Sequence, residues 1–398
     1  MVDPLLSPWL TIVGIGEDGL AGLSEASRKA LAEAEVVFGG ERHLALARIG
    51  GDCGRAWPVP FDASGVLARR GRPTVVLASG DPFWYGAGGN IAEHLRDGEW
   101  VAHPAPSIFA LVASRLGWRL ENVICLGLHA APFETLEPRL ARGARLICTV
   151  RDGMAAGDLA SWLTARGWGA SRLLTCIALG GPGERVTSHR ADTYTADPAA
   201  KLVTVALEAD GSNGLPCNSG VADDRFAHDG QITKRPMRAL ALSALAPRAG
   251  EHLWDIGAGS GSISVEWALC GGTSDAIEVR EDRASHIRTN AASFGLTHKI
   301  DVTVGRAPAV LYGLAPPQAV FFGGGFDAAM FDAVCSLVPK RTRMVAHAVT
   351  LETEALLHEL QRRVSGELMR VEIAYAAPLG GFRSWQPERP IVQWSAVT

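Results

Sequence analysis

Leu253-Trp254-Asp255-Ile256-Gly257-Ala258-Gly259-Ser260-Gly261, continued by Ser262-Ile263-Ser264-Val265-Glu266-Trp267, decides the fold of this chain. An apolar strand runs into three alternating glycines and then into a helical stretch. Glycine lets the backbone approach a ligand, and the helix N-terminus supplies N–H groups with no intrahelical partner. A phosphate-binding P-loop closes on Gly-Lys-Ser/Thr, whereas this loop closes on Gly261-Ser262-Ile263, which argues against an ATP site. A dinucleotide fingerprint needs glycine at 262, where serine stands, so the G-x-G-x-G spacing favours S-adenosylmethionine (SAM) over NAD. Gly257, Ala258, Gly259, Ser260 and Gly261 are therefore candidate cofactor-binding residues.

Further along the chain, the next strand ends at Glu278, 21 residues after Gly257, where a carboxylate can accept the ribose hydroxyls of an adenosine. The third strand enters Gly305-Arg306-Ala307-Pro308, which puts Ala307 beside the adenine ring. The fourth ends in Phe321-Phe322-Gly323-Gly324-Gly325, which leaves room above the sheet edge for methyl delivery. Helices are expected at 235–247, 262–270, 283–295 and 327–338, and strands at 252–257, 274–280, 299–305, 319–324 and 343–349. This alternation predicts a parallel sheet with helices on both faces and ligands at the carboxyl ends of the strands.

Toward the N-terminus the pattern is also α/β but different in detail. Strands are expected at 10–16, 36–38, 74–80, 145–150 and 202–209, with helices at 24–35, 89–97 and 107–117, the first capped by Ser24. Gly14-Ile15-Gly16-Glu17-Asp18-Gly19 matches G-x-G-x-x-G after a strand, so an NAD-linked oxidoreductase stays open as a reading. The second strand, however, ends in Gly39-Gly40 with no acid at its tip. Between 210 and 230 the periodicity stops in a polar, glycine-containing stretch that reads as a linker. It separates a first domain, 1–209, from a second, 231–398.

Composition narrows the classes. Lys+Arg is 38 and Asp+Glu 42, for a net charge of −4, the wrong sign for a surface devoted to nucleic acid. The seven cysteines contain no C-x-x-C pair, which argues against a disulfide framework and a zinc site, so no metal is expected. No segment reaches the roughly 18 uninterrupted apolar residues of a membrane span. The start places an acid and prolines where a signal peptide needs basic residues, so a cytoplasmic protein is expected.

Ala78-Ser79-Gly80-Asp81-Pro82-Phe83-Trp84, Pro106-Ser107-Ile108, the first glycine loop and LGGPGERV at 179–186 together resemble the tetrapyrrole methylases, a SAM-dependent family of two α/β lobes. The resemblance implies that Gly14, Gly16, Asp81, Trp84, Ser107 and Ile108 line the cofactor. A tetrapyrrole methylase followed by a Rossmann-like class I SAM domain resembles the decarboxylating precorrin C(5,15)-methyltransferases of cobalamin biosynthesis. Asp229 to Arg235, which includes Thr233 as a further cofactor contact, 346–352 and 378–382 extend that resemblance to almost the full length. His347 departs from it, asparagine being expected there.

The resemblance implies methylation of carbon 5 by the first domain, and methylation of carbon 15 with loss of the ring C acetate carboxylate by the second. The substrate implied is precorrin-6Y (then 6B) and the product precorrin-8x, with one SAM per domain, S-adenosylhomocysteine released, and a homo-oligomeric assembly. A meso carbon flanked by pyrroles is already nucleophilic, so alignment and exclusion of water carry the chemistry. Candidate acid/base or substrate groups are His129, His228, Glu266 and Arg383, with Arg235 and Arg389 as further anchors for substrate carboxylates. Glu266 reads equally as a partner for the SAM ammonium or as a helix-surface acid. A methyltransferase acting on another tetrapyrrole position, or on RNA, is the alternative; the negative charge and the lack of an aromatic-interleaved arginine stripe weigh against RNA.

Overall fold

The computed structural model describes residues 8–398. Residues 1–7, on which part of the reading of the start rests, lie outside the described residues. The chain divides into two compact units, Met1–Ala131 with Ala141–Asn213 and Pro132–Leu140 with Gly214–Thr398. The short Pro132–Leu140 segment thus packs with the second unit, although the sequence reading places it inside the first domain.

The first unit holds two five-stranded sheets. One is wholly parallel, in the order β3-β2-β4-β1-β5, from β1 (Leu10–Ile15), β2 (Val36–Gly39), β3 (Gly54–Ala56), β4 (Thr74–Ser79) and β5 (Trp100–His103). Its strands are near-continuous apolar runs because helices cover both faces; Leu10, Ile12, Val13, Val76 and Leu77 are fully buried. Ser24 caps the helix Glu25–Glu33 by accepting from Ser27 N at 3.1 Å, as its sequence predicts. The other sheet has the order β6-β7-β10-β8-β9, from β6 (Ile124–Gly127), β7 (Arg145–Thr149), β8 (Arg172–Ile177), β9 (Arg185–Arg190) and β10 (Val203–Glu208). Only β6–β7 is parallel there; β10 runs antiparallel to both β7 and β8, and β8 to β9.

The second unit is a seven-stranded sheet in the order β13-β12-β11-β14-β15-β19-β16. The parallel part, β11 (His252–Ile256), β12 (Thr273–Glu278), β13 (Ile300–Val304), β14 (Ala319–Phe322) and β15 (Arg343–Ala348), follows the sequence reading. The expectation of a wholly parallel sheet fails at the far edge. There β19 (Ile391–Val397) runs antiparallel between β15 and β16 (Glu367–Val371), and its Trp394 is fully buried against Phe331. A separate exposed hairpin is formed by β17 (Ala374–Leu379) and β18 (Phe382–Pro387). The order reverses between β11 and β14, and a crevice at such a switch point is where open α/β sheets take ligands.

The stretch read as a linker is largely part of this second unit. Val221 and Phe226 are 2% and 5% exposed and join the core around Val265, Ile287 and Phe294. Within the same unit, Arg225 forms an ion pair with Glu137 of the Pro132–Leu140 segment. Among the described residues no helix is long and apolar enough to cross a membrane.

Candidate active sites in the two units

In the first unit, a cavity of about 510 Å³ lies between the tips of its two sheets. Gly16, Gly80 and the Pro106-Ser107 turn line it, and Gly14 packs on Gly80 where the backbone leaves no room for a side chain. A Cβ on Gly14 would collide with Gly80 O and sit 2.5 Å from Ala105 N; Gly80 itself has φ +53°. Ser107 caps the helix Ile108–Leu116 through Ala110 N at 3.1 Å, so the first-turn amides of that helix face the turn that lines the cavity. Trp84 lines the wall with its ring 5.1 Å from Phe109, and Ile108 packs beneath. Asp81 also lines it, but its Oδ1 accepts from Phe83 N at 2.9 Å, so this carboxylate shapes its own turn. His129 lies exposed at the tip of β6 and lines the same cavity.

A polar cluster that the sequence reading passed over stands on the first sheet's side. Arg42 pairs with Glu17 of the glycine loop and donates to Ser79 Oγ at 2.8 Å; His43 Nε2 lies 2.8 Å from the same hydroxyl and 2.9 Å from Arg42 Nη2. An arginine N–H aimed at Nε2 requires that nitrogen to accept. Burial, with Arg42 adding, accordingly holds His43 down at about 4, so it is neutral at physiological pH. The tip of β2 therefore offers a cation and a neutral ring where an NAD-binding strand offers a ribose-binding acid. The 179–186 stretch is latched beside it: Glu184 accepts from Arg115 Nε at 2.5 Å and from Gly180 N at 2.7 Å. A Cβ on Gly181 would lie 2.7 Å from Glu17 Cβ.

In the second unit the three loop glycines all have left-handed backbones, with φ +73° at Gly257, +61° at Gly259 and +72° at Gly261. Gly257 also abuts Gly324, whose N would be 2.7 Å from an added Cβ, which closes the β11 and β14 tips on each other. Glu278, 6% exposed, accepts from Gly259 N at 2.9 Å, Val279 N at 2.9 Å and Arg280 N at 3.0 Å. Ser260 Oγ is buried without a partner among the described residues. Asp255 at the end of β11 is fully buried: Oδ2 accepts from Ser264 Oγ at 2.7 Å while Oδ1 has no partner among the described residues. Burial pushes its carboxyl up to about 6, and the nearby Glu278 charge adds. Ala258 is half-buried in the loop, and Ala307 packs among Trp254, Ile277 and Phe322.

Asn290 is the second unit's counterpart to the missed cluster. At 1% exposure it donates to Ser260 O at 2.8 Å and to Ala227 O at 2.9 Å, and it accepts from Ala227 N at 2.8 Å. It staples the segment that carries His228, Gln231 and Thr233 to the glycine loop. The signal was an asparagine inside the helix Glu281–Ser293, a residue that disfavours helix interiors unless its amide has other partners. His228 Nδ1 accepts from Gly230 N at 2.9 Å, and Gln231 O is the nearest atom to Gly259. Thr233 contributes its carbonyl to Arg238 at 2.6 Å and is half-buried.

One expectation is corrected by the geometry. Glu266 is neither a surface acid nor directed at a cofactor: it is 2% exposed, paired with the fully buried Arg238 at 2.6 Å, and it accepts from Gly220 N and Val221 N. Its two oxygens are consumed in holding the former linker to the helix Ser262–Leu269. Arg383 stands on exposed β18, paired in register with Pro378; Arg389 and Arg235 are exposed too. Arg235 N donates to Asp223 at 3.0 Å. His347 Nε2 donates to Gln393 Oε1 at 2.8 Å, and burial holds its pKa below the usual imidazole range.

These features define a methyltransferase assembled from two different α/β units, each with its own glycine loop at strand tips. Residues 9–193 match the family of tetrapyrrole (corrin/porphyrin) methylases, and residues 224–398 the precorrin methyltransferase domain. The chain is 46% identical to a precorrin-6Y C(5,15)-methyltransferase [decarboxylating] of Sinorhizobium sp, covering 98% of this chain and 97% of that relative. It is 38% identical to the protein of the same name from Mycobacterium tuberculosis H37Rv, covering 98% and 99%. The solved C-terminal domain of precorrin-6Y C5,15-methyltransferase from Rhodobacter capsulatus is 50% identical over 46% of this chain and 100% of its own, with a TM-score of 0.46. The chain belongs to the precorrin-6Y C(5,15)-methyltransferase (decarboxylating) family.

Proposed function

We propose that this chain methylates carbons 5 and 15 of precorrin-6Y and decarboxylates its ring C acetate, giving precorrin-8x, with one SAM bound in each unit. The first unit takes carbon 5; the second takes carbon 15 and the decarboxylation. The observation that carries the two-site reading is that each unit closes its own glycine loop by backbone approach, Gly14 on Gly80 and Gly257 on Gly324. When bound, SAM supplies an electrophilic methyl on a sulfonium.

The residues present fit such a group. In the second unit, Glu278 accepts three backbone amides and keeps one acceptor site on Oε2 for a ribose hydroxyl, Ser260 Oγ lacks a partner among the described residues, and Ala307 offers an apolar wall for a purine. In the first, Trp84, Ile108 and the loop from Ile15 to Gly16 line a cavity of about 510 Å³. The walls align the meso carbon and exclude water; the substrate's pyrroles supply the electrons for the new carbon–carbon bond as the carbon–sulfur bond breaks. After methyl transfer the meso proton passes to solvent; in the second unit carbon dioxide departs from the acetate as its electrons enter the conjugated ring, and one proton taken up from solvent completes the methyl group left on ring C. A cytoplasmic setting is proposed with this, consistent with seven unpaired cysteines.

The test is calorimetric titration of the full chain with SAM, followed by mass analysis of product from precorrin-6Y. Two sites and a product carrying two added methyls and one lost carbon dioxide are expected. One site, or a singly methylated product that keeps its carboxylate, refutes the proposal.

A further inference from the structure

We infer that the cavity of the first unit carries a carboxylate-binding arc, Lys201 with Arg151 and His129, that takes acidic arms of the macrocycle and not the amino-acid end of SAM. The inference rests on the reading above that a tetrapyrrole with acetate and propionate arms is the substrate.

The three residues sit at one edge of a sheet whose strands there are neighbours: His129 and Arg151 follow the ends of β6 and β7, and Lys201 precedes the start of the antiparallel β10. Leu128 N donates to Thr149 O at 2.8 Å and Val150 N to Val203 O at 3.3 Å, while Gly127 and Thr204 both pair in register with Thr149. Adjacent strands lie about 4.8 Å apart, so the side chains at 129, 151 and 201 start within reach of a single ligand. All three line the same cavity and all three are exposed.

Their donor groups are largely uncommitted. Lys201 and His129 make no side-chain hydrogen bond or ion pair among the described residues. Asp197, the acid that precedes Lys201, is taken by Arg185 at 2.7 Å and by Ala199 N at 3.0 Å. Arg151 directs Nε to Asp152 at 2.8 Å, which leaves its terminal nitrogens, and Asp152 is also held by Ala155 N as the cap of the helix Gly153–Ala165. The opposite side of the cavity carries the acids, Glu17 and Asp81.

The amino-acid end of SAM is a zwitterion and needs an acceptor for its ammonium beside donors for its carboxylate. An arc without an uncommitted acid serves it poorly. Flexible carboxylate arms with no positive group suit the arc well, and lysine on its long stem follows such an arm as a point charge.

The experiment uses the full chain and the Lys201→Glu, Lys201→Ala and Lys201→Arg variants. Lys201→Glu is expected to raise KM for the tetrapyrrole in carbon 5 methylation about ten-fold or more, with SAM affinity unchanged. Lys201→Arg should restore KM to within about three-fold, which a merely structural lysine would not require. Loss of SAM affinity with KM unmoved would transfer the arc to the cofactor and overturn the inference, as would no change in either.

If the wild-type chain turns over no precorrin, the functional reading fails on its own. The arc is then read by fluorescence titration with a porphyrin bearing acetate and propionate arms, against the same ring bearing ethyl groups. Preference of wild type for the acidic ring, lost in Lys201→Glu, supports the arc; equal binding of both rings overturns it.

Discussion

The carboxylate of Glu278 accepts the backbone N–H of Gly259 at 2.9 Å, so the end of β12 and the loop that follows β11 are joined by one hydrogen bond in the second unit. Glu278→Ala removes the acceptor for this amide and for those of Val279 and Arg280. It is expected to abolish SAM binding in the second unit, with a stability cost of about 1–3 kcal/mol, while the first unit still binds. Calorimetry would then count one site in place of two. Equal loss at both sites in a folded protein would refute the two-site reading.

Asp255 has a native pKa of about 6 against an ordinary 3.8, with burial as the main cause. Between those values the native chain holds a proton that the unfolded chain has released. This residue's contribution to stability therefore falls as pH rises from about 4 to about 6 and stays lowered above that. Asp255→Asn keeps an acceptor for Ser264 and removes the charge. The variant should be more stable than its parent by about 1–3 kcal/mol at pH 8, with the gap closing near pH 4. Urea unfolding at the two pH values checks it; a variant that is weaker at pH 8 counts against the account.

Arg238 and Glu266 form a buried pair at 2.6 Å. Arg238→Met leaves a buried carboxylate without its cation and should cost about 3–5 kcal/mol, whereas the double replacement by methionine should cost far less. The folded fraction of Glu266→Gln should retain carbon 15 methylation. A loss of kcat there with unchanged stability would return Glu266 to the chemistry.

Gly14→Ala forces a Cβ against Gly80 O and should cost about 1–3 kcal/mol together with SAM affinity in the first unit. Gly89→Ala meets nothing within 4 Å inside the helix Ala87–Ala92 and should stabilise by about 0.5–1 kcal/mol. Thermal unfolding of the two variants side by side separates a glycine required by close approach from one that is not.

Most parallel strands, β1, β2, β4 and β11 to β15, were legible because their signal is local, an apolar run with a glycine or turn at its tip and then a helical stretch, as at Leu253–Gly261 and at Leu10–Gly16; the short β3, β5 and β6 were not. Of the antiparallel strands β10 was legible as the apolar run at 202–209, but β9 and the β17–β18 hairpin were not, since they are mostly exposed and carry no apolar alternation that a period of two would reveal. Residues of the sites that touch backbone, such as the loop glycines, could be read from spacing. Arg42, His43 and Asn290 could not, because each acquires its role only when a strand tip or helix from elsewhere in the chain is brought to it. Glu266 shows the reverse error: a carboxylate one helical turn beyond a glycine loop looks functional until Arg238, 28 residues before it, is seen to be its partner.

The place of β19 has a consequence for how this molecule is made. On the ribosome, β15 and β16 exist before the strand that separates them, and each presents an unsatisfied ladder to the surroundings until Ile391–Val397 emerges and inserts. Nascent chains of the second unit therefore pass through an interval in which a hydrophobic gap is open to strand exchange or chaperone capture.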